Sequence, residues 1–360
     1  MLTAQNPKKQ HNIFRVVFLL LVILVISKSS ISAETTIDAS TLPIPKQIPE
    51  LEEQVGAEMN PKYPNPGDTV KITLSAFGTD LNIANITWFI DDKITKQGKG
   101  QKTFEVIAGK LGQLNIVKVE IEPLNGNKIT KTFNINPQTV DVLWEARTYT
   151  PPFYKGKSMY TPEEKIFFVA MPNITSQSGS LTDSKTIVYK WRQNNTVLGS
   201  LSGYGQNVLP YTGNILMRGI ETSVESRTES GVTATNDLTL SPIFPETHLY
   251  EDSSIYGILF NREVSGVFEF GGKEERNISA FPYFVGGSSR FTPNIAYSWS
   301  INYNKINVPE SQNTMTFRNV DNLEGRSLVE VATKNKDMFL QKSKANTTID
   351  FKKVEKVFAL

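Results

Sequence analysis

The sequence predicts an all-β protein of three tandem β-sandwich modules, preceded by a hydrophobic export segment and a proline-containing linker. Two observations carry this. From residue 61 onward, short runs rich in Val, Ile, Thr, Phe and Tyr alternate with polar residues and are separated by "NPGD", "LNGN" and "VGGSS", the punctuation of many short strands. No long stretch shows a helical period. The second observation is a repeat. An apolar strand ending in tryptophan and then a polar turn occurs in "ANITWFIDDKITK", "TIVYKWRQNNTVLG" and "NIAYSWSINYNKI", at Trp88, Trp191 and Trp299.

At the N-terminus, Lys8, Lys9 and Arg15 precede the apolar run "VVFLLLVILVI", Val16 to Ile26. That run suits the core of a signal peptide and is short of the roughly 20 residues that span a bilayer. "SSISA" comes next, so cleavage after Ala33 is expected, although Ile31 fits the cleavage pattern poorly. The alternative is an uncleaved N-terminal membrane anchor that tethers the modules. Both readings of residues 1–33 export the chain from about residue 34 onward. Residues 34–56 read as a linker, because Pro43, Pro45 and Pro49 favour an extended, semi-rigid spacer.

The modules are expected at 57–137, 138–242 and 243–352, with a tail at 353–360. Within the first, "VKITLSAF" and "NIVKVEIEP" alternate cleanly, one set of side chains inward and the other toward water. "VKITLSAF", "KIFFVAMP" and "NISAFPYF" lie upstream of the three tryptophans, and the last two share Ala170/Pro172 and Ala280/Pro282. Downstream, a second alternating strand carries Val119, Val224 and Val331. The second and third modules read as sisters. "VLWEARTYTPPFYKG" also lies over "HLYEDSSIYGILFNR", setting Trp144 over Tyr250, Tyr149 over Tyr256 and Phe153 over Phe260. A tryptophan in this setting fills the space between two sheets about 10 Å apart, as in an immunoglobulin-like sandwich. Trp88, Trp191 and Trp299 are therefore assigned to the core.

"PNPGDTVKITLSAF…ITWFIDD" resembles the first strands of PKD and bacterial immunoglobulin-like modules of exported proteins. "VLWEARTYTPPFYKGKSMYTPEEKIFFVAMPN", "YKWRQNNTVLGSLSGYGQNVL" and "LYEDSSIYGILFN" are similar to an uncharacterised exported family of small-genome, Parcubacteria-type candidate-phylum bacteria. The resemblance spans about residues 60–350. It implies a bacterial surface protein with attachment or pilus-related work, and asparagines of "NIT" and "NIS" that need carry no glycan. The family has no established activity, so it transfers no site residue.

Composition narrows the chemistry. The 360 residues hold 38 Lys and Arg against 36 Asp and Glu, a formal charge of +2, which gives no reason to expect a nucleic acid partner. With no cysteine, disulfides, thiolate metal sites and a cysteine nucleophile are excluded. The two histidines are His11 and His248. His248 lies near Glu246, Glu251, Asp252, Ser253 and Ser254, but neighbours on a strand point to alternate faces, so no triad forms locally. Glu145, Glu251 and Asp252 fall where modules should join rather than across a cleft, and a calcium ion between modules is the metal reading they leave open. Asp91-Asp92 reads as a solvated hairpin tip. "GSLSGYG" lacks the Lys-Ser/Thr of a phosphate loop.

"WEARTYTPPFY" is the one stretch that looks like a binding platform, through Trp144, Tyr149, Phe153 and Tyr154. Its recurrence in the sister module favours packing or a module joint. Tyr154 and Tyr160 are the candidates for exposed contacts. The function expected is non-enzymatic, without a cofactor: adhesion, assembly or spacing at the cell envelope, with an envelope protein or surface polysaccharide as partner. The alternatives are a polysaccharide- or peptidoglycan-binding protein using that platform and, third, an enzyme with a site between modules.

Overall fold

The structure is a computed structural model that describes residues 54–352 apart from 177–178, 216–217, 272–274 and 322. The export segment, the linker up to residue 53 and the tail expected at 353–360 lie outside the described residues. The described residues fall in one compact unit.

The first module contains β1 (Gln54–Asn60), β2 (Thr69–Phe77), β3 (Asn85–Ile90), β4 (Lys93–Lys99), β5 (Thr103–Ile107), β6 (Asn115–Glu122) and β7 (Ile129–Ile135). They form two sheets, β1-β2-β5 and β4-β3-β6-β7. Because β1 begins at Gln54, the last residues read as linker already belong to a sheet. The alternation in β2 puts Val70, Ile72 and Leu74 inward, and Trp88 stacks on Phe104 with ring centroids 5.0 Å apart.

The second module repeats the arrangement with β8 (Thr139–Ala146), β9 (Thr148–Tyr149), β10 (Lys165–Asn173), β11 (Val188–Gln193), β12 (Thr196–Val197), β13 (Gly203–Tyr204), β14 (Val208–Thr212), β15 (Ile220–Arg227) and β16 (Thr233–Leu240). Its sheets are β14-β10-β8 and β12-β11-β15-β16, with β13 also on β11. The third module contains β17 (Glu246–Ser253), β18 (Gly257–Glu263), β19 (Gly266–Glu269), β20 (Glu275–Tyr283), β21 (Val285–Gly286), β22 (Ile295–Ile301), β23 (Asn304–Lys305), β24 (Thr314–Arg318), β25 (Gly325–Asn335) and β26 (Lys342–Phe351). Here the sheets are β18-β17-β20-β24 and β19-β26-β25-β22-β23. After β18 the chain crosses to the opposite sheet, where β19 pairs with β26 in parallel.

One device occurs in all three modules. Trp88, Trp191 and Trp299 are fully buried and pair across strands with Val119, Val224 and Val331 respectively. Each indole Nε1 donates at 2.8 Å to a glutamine main-chain carbonyl, of Gln101, Gln206 or Gln312, so the ring is buried without an orphaned donor. Each tryptophan strand then enters a two-residue hairpin at Asp91-Asp92, Asn194-Asn195 or Asn302-Tyr303, and both turn residues have positive φ. That is the backbone of a type I′ turn, which Asp and Asn adopt at low cost.

The expected match between the leading strands of the sister modules needs correction. Ala170 pairs with Val142, and Ala280 pairs with Leu249. On that register Trp144, opposite Phe168, corresponds to Glu251, opposite Ile278, and not to Tyr250. A one-residue slip moves a side chain to the other face of a sheet. Trp144 packs half-buried beside the second core, whereas Glu251 is buried and paired with Arg276 at 2.6 Å. Phe153 and Phe260 are not equivalents either, since Phe260 lies on β18 and Phe153 on no strand, between β9 and β10; the two rings touch each other.

Candidate functional site at the joint between the second and third modules

Between β8 and β10, residues 148–154 and 161–163 lie against the third module, while Tyr160 between them stays in the second core. The segment is anchored first by backbone. β9 pairs with β21, Tyr149 opposite Val285 and Thr148 opposite Gly286, and Phe284 N donates to Tyr149 O at 2.7 Å. Pro151 and Pro152 stiffen the next turn, which closes with Tyr154 N donating to Pro151 O.

That turn delivers two rings to an aromatic cluster of the third module, made of Tyr250, Phe281, Tyr283 and Phe284. Phe153 stacks on Phe260 with centroids 3.6 Å apart and meets Tyr250 and Phe281 edge-on. Tyr154 lies edge-on to Tyr283 at 5.7 Å and to Phe284 at 5.5 Å. Offset and edge-on contacts of this kind contribute about 0.5–1.5 kcal/mol each beyond area burial. Arg290 lies over Phe281 with its guanidinium carbon 4.0 Å from the ring centroid. Burial pushes the Tyr283 hydroxyl far above the usual tyrosine range, so it stays a neutral partner for Tyr250 Oη at 3.0 Å.

A polar clamp sits beside the aromatics. Glu163 of the second module accepts from the backbone of the third, from Phe339 N at 3.2 Å and Leu340 N at 2.7 Å. Gln341 is fully buried. Its Oε1 accepts from Gly286 N at 2.6 Å and Asn335 Nδ2 at 3.3 Å. Its Nε2 donates across the joint to Thr161 Oγ1 at 3.2 Å and Pro162 O at 2.9 Å. One amide therefore fills its hydrogen-bonding capacity within and between two modules. Gly286 suits this close approach, since a Cβ there would displace the Glu164 carboxylate and crowd the amides of Asn335 and Gln341.

Glu164 is buried in the joint. Burial raises its carboxyl above the ordinary value, opposed by the Lys165 backbone N–H and the charges of Lys165 and Arg147. A raised folded-state value means that its contribution is present in acid and is lost as pH rises through that value. Glu164→Gln is therefore expected to raise the melting temperature at slightly alkaline pH and leave it unchanged in acid. Melting curves of both proteins across that range check this; an unchanged difference at all pH values would contradict it.

The joint between the first two modules is smaller. On the second module's side, buried Gln138 Oε1 accepts from Thr175 N at 2.9 Å; Gly112 of the first module lies against that Thr175, where a Cβ would meet its hydroxyl.

The structure corrects Tyr160 as a candidate contact residue. Tyr160 is 1% exposed in the second core, where burial pushes its hydroxyl up to about 12. Tyr154 is half-buried, held by the third module's rings. With Phe153 and Tyr154 so engaged, "WEARTYTPPFY" offers no continuous row of free rings for a sugar. His248 lies between two carboxylates, its Nδ1 2.6 Å from Glu263 and its Nε2 3.2 Å from Glu246. Ser253 Oγ instead accepts from Ile255 N and Tyr256 N. Glu251 is engaged by Arg276, Asp252 accepts from Ser279 Oγ, and Glu145 is exposed on β8. Among the described residues no three His, Cys, Asp or Glu side chains are placed to hold a metal ion. No helix among them is long and apolar enough to cross a membrane. The clamp residues Glu163, Gly286 and Gln341 were not singled out by the sequence, where Gly286 falls in the turn signal "VGGSS" and the other two carry no motif.

Sheet order, register and the buried tryptophans define a tandem immunoglobulin-like β-sandwich protein. No protein-family model and no curated protein matches the chain. Among solved structures it is similar to the three N-terminal domains of the bacteriophage RB49 highly immunogenic outer capsid protein, at 10% identity over 84% of this chain and 99% of that one, TM-score 0.23. It is also similar to the central fibronectin-III array of RIM-binding protein, at 12% identity over 82% and 95%, TM-score 0.27. A third is SGBP-B of the Bacteroides ovatus mixed-linkage glucan utilization locus, solved with a mixed-linkage heptasaccharide, at 14% identity over 82% and 70%, TM-score 0.20. Likenesses at these scores carry no inference about function.

Proposed function

We propose that the chain is a non-enzymatic protein of the cell exterior that works as a modular spacer or adhesive scaffold and holds contact surfaces in fixed relation. The observation that supports this best is the joint, where Gln341, Glu163 and the Phe153–Phe260 stack tie the second and third modules together. A scaffold gains from such a joint, because ordering the modules in advance lowers the entropic cost of engaging a partner with both. The basic, apolar and small-residue pattern of residues 1–33 supports export.

Fractionation of native cells with N-terminal sequencing tests this reading. A mature chain starting at Glu34 outside the cell, or an intact Met1 in the membrane fraction with the modules open to added protease, is the expected outcome. A protease-protected chain in the soluble cell interior would contradict it.

A further inference from the structure

The outer face of the β23-β22-β25-β26 sheet in the third module carries an arrangement that its own fold does not explain. Strand register sets side chains in rungs across this face. Ala296 is opposite Lys334, which is opposite Lys342; in the next rung Ser298 is opposite Ala332, which is opposite Lys344. Lys334 and Lys342 are thus direct cross-strand neighbours of like charge, both exposed, a pairing that destabilises a sheet. The carboxylates on this face are already engaged: Glu330 by Lys344 at 2.9 Å and Glu310 by Lys336 at 2.9 Å. Lys334, Lys342 and Lys305 form no direct ion pair among the described residues, although the charges of Lys334 and Lys305 help lower the Glu310 carboxyl. The small side chains Ala296, Ser298 and Ala332 leave a hollow of about 420 Å³ between lysine walls, within the roughly 300–1,000 Å³ of small-ligand sites.

We infer that this hollow binds a linear polysaccharide bearing carboxylates, with the sugar rings over the Ala296–Ser298–Ala332 floor and the carboxylates between Lys334, Lys342 and Lys305. An anion there relieves the Lys334–Lys342 repulsion, and the flat floor lets a ring approach the sheet. The cationic side chains of the lining are all lysines, with the Glu310 carboxylate, paired with Lys336, also on the wall. The planar arginine fork suited to bidentate phosphate is absent from the lining, which favours singly charged groups spaced along a chain. Phe339, 72% exposed, lies under Lys342, whose Nζ is 5.4 Å from its ring centroid. Its backbone is fixed by Glu163 of the second module, so the joint orders a neighbour of one lining lysine. This inference names a ligand class for the surface role proposed above and rests on it only for where the polymer is met.

The test is titration calorimetry of the full chain with oligogalacturonate, its fully methyl-esterified form, poly-glutamate and polyphosphate. The double variant Lys334→Thr/Lys342→Thr is titrated in parallel. The expected result is binding of oligogalacturonate that weakens at least about tenfold in the variant and fades with added salt. The ester should not bind, and poly-glutamate and polyphosphate should bind more weakly. The variant should melt no lower than the parent, because a like-charge pair is replaced by strand-favouring residues. Equal binding by the variant, binding of the ester, or equal or tighter binding of either other polyanion would each overturn the proposal. None of these outcomes alters the fractionation result, so the two readings fail separately.

Discussion

Replacing Trp191 by alanine is expected to destabilise the second module by about 3–5 kcal/mol, the usual cost of deleting a large buried aromatic. The ring is fully buried, and the chain has no cysteine to hold the sheets together by other means. The substitution also leaves the Gln206 carbonyl without the Nε1 donor that reaches it at 2.8 Å, a penalty that adds to the cavity. Trp191→Phe keeps an aromatic body and loses the bond and part of the volume, so its loss should be smaller, roughly 1–3 kcal/mol. Urea titration with limited proteolysis checks both, with new cleavage expected within residues 138–242. A Trp191→Ala protein that melts like the parent would refute the packing role assigned to all three tryptophans.

Gln341→Ala should be the most damaging single change at the joint. It removes four hydrogen bonds at once, to Gly286, Asn335, Thr161 and Pro162, and leaves buried polar groups without partners at about 1–3 kcal/mol each. The cores lie elsewhere, so the loss should be specific: the second and third modules should unfold in separate transitions, whereas the parent is expected to unfold them in one. Calorimetric scans of the two proteins measure this. The surface ion pairs near the joint, such as Lys336–Glu310, should matter far less, since exposed pairs contribute roughly 0–1 kcal/mol.

The core was legible in the sequence because it obeys a period. Trp88, Trp191 and Trp299 and their partners Val119, Val224 and Val331 stand on alternating strands at nearly constant spacing, and the register pairs each tryptophan with that valine. The turns after the first two tryptophans were legible for a related reason, since Asp-Asp and Asn-Asn suit two consecutive positive φ angles, whereas the third sets Tyr303 at positive φ. The indole bonds were missed, although a glutamine lies downstream of each tryptophan at Gln101, Gln206 and Gln312; the accepting group is a main-chain carbonyl, which any residue supplies. The joint was illegible for a different reason. "WEARTYTPPFY" shows its rings, but only the fold reveals that Phe153 meets Phe260. Glu163 and Gln341 are polar loop residues whose partners lie far along the chain, and no local pattern announces such a pairing. Tyr160 was misplaced on the surface for the same reason, since irregular segments carry no periodicity from which burial can be read.

The central claim is that the second and third modules behave as one cooperative body, and native-state hydrogen exchange on the intact chain tests it most directly. The amides of Gly286, Phe284 and Leu340 bridge or border the joint; the paired strands at Trp191–Val224 and Trp299–Val331 lie deep in the two cores. The account expects the joint amides to exchange only through the same large opening that exposes the core amides, with matching free energies. Joint amides that exchange through a low-energy local opening while both cores stay protected would contradict it.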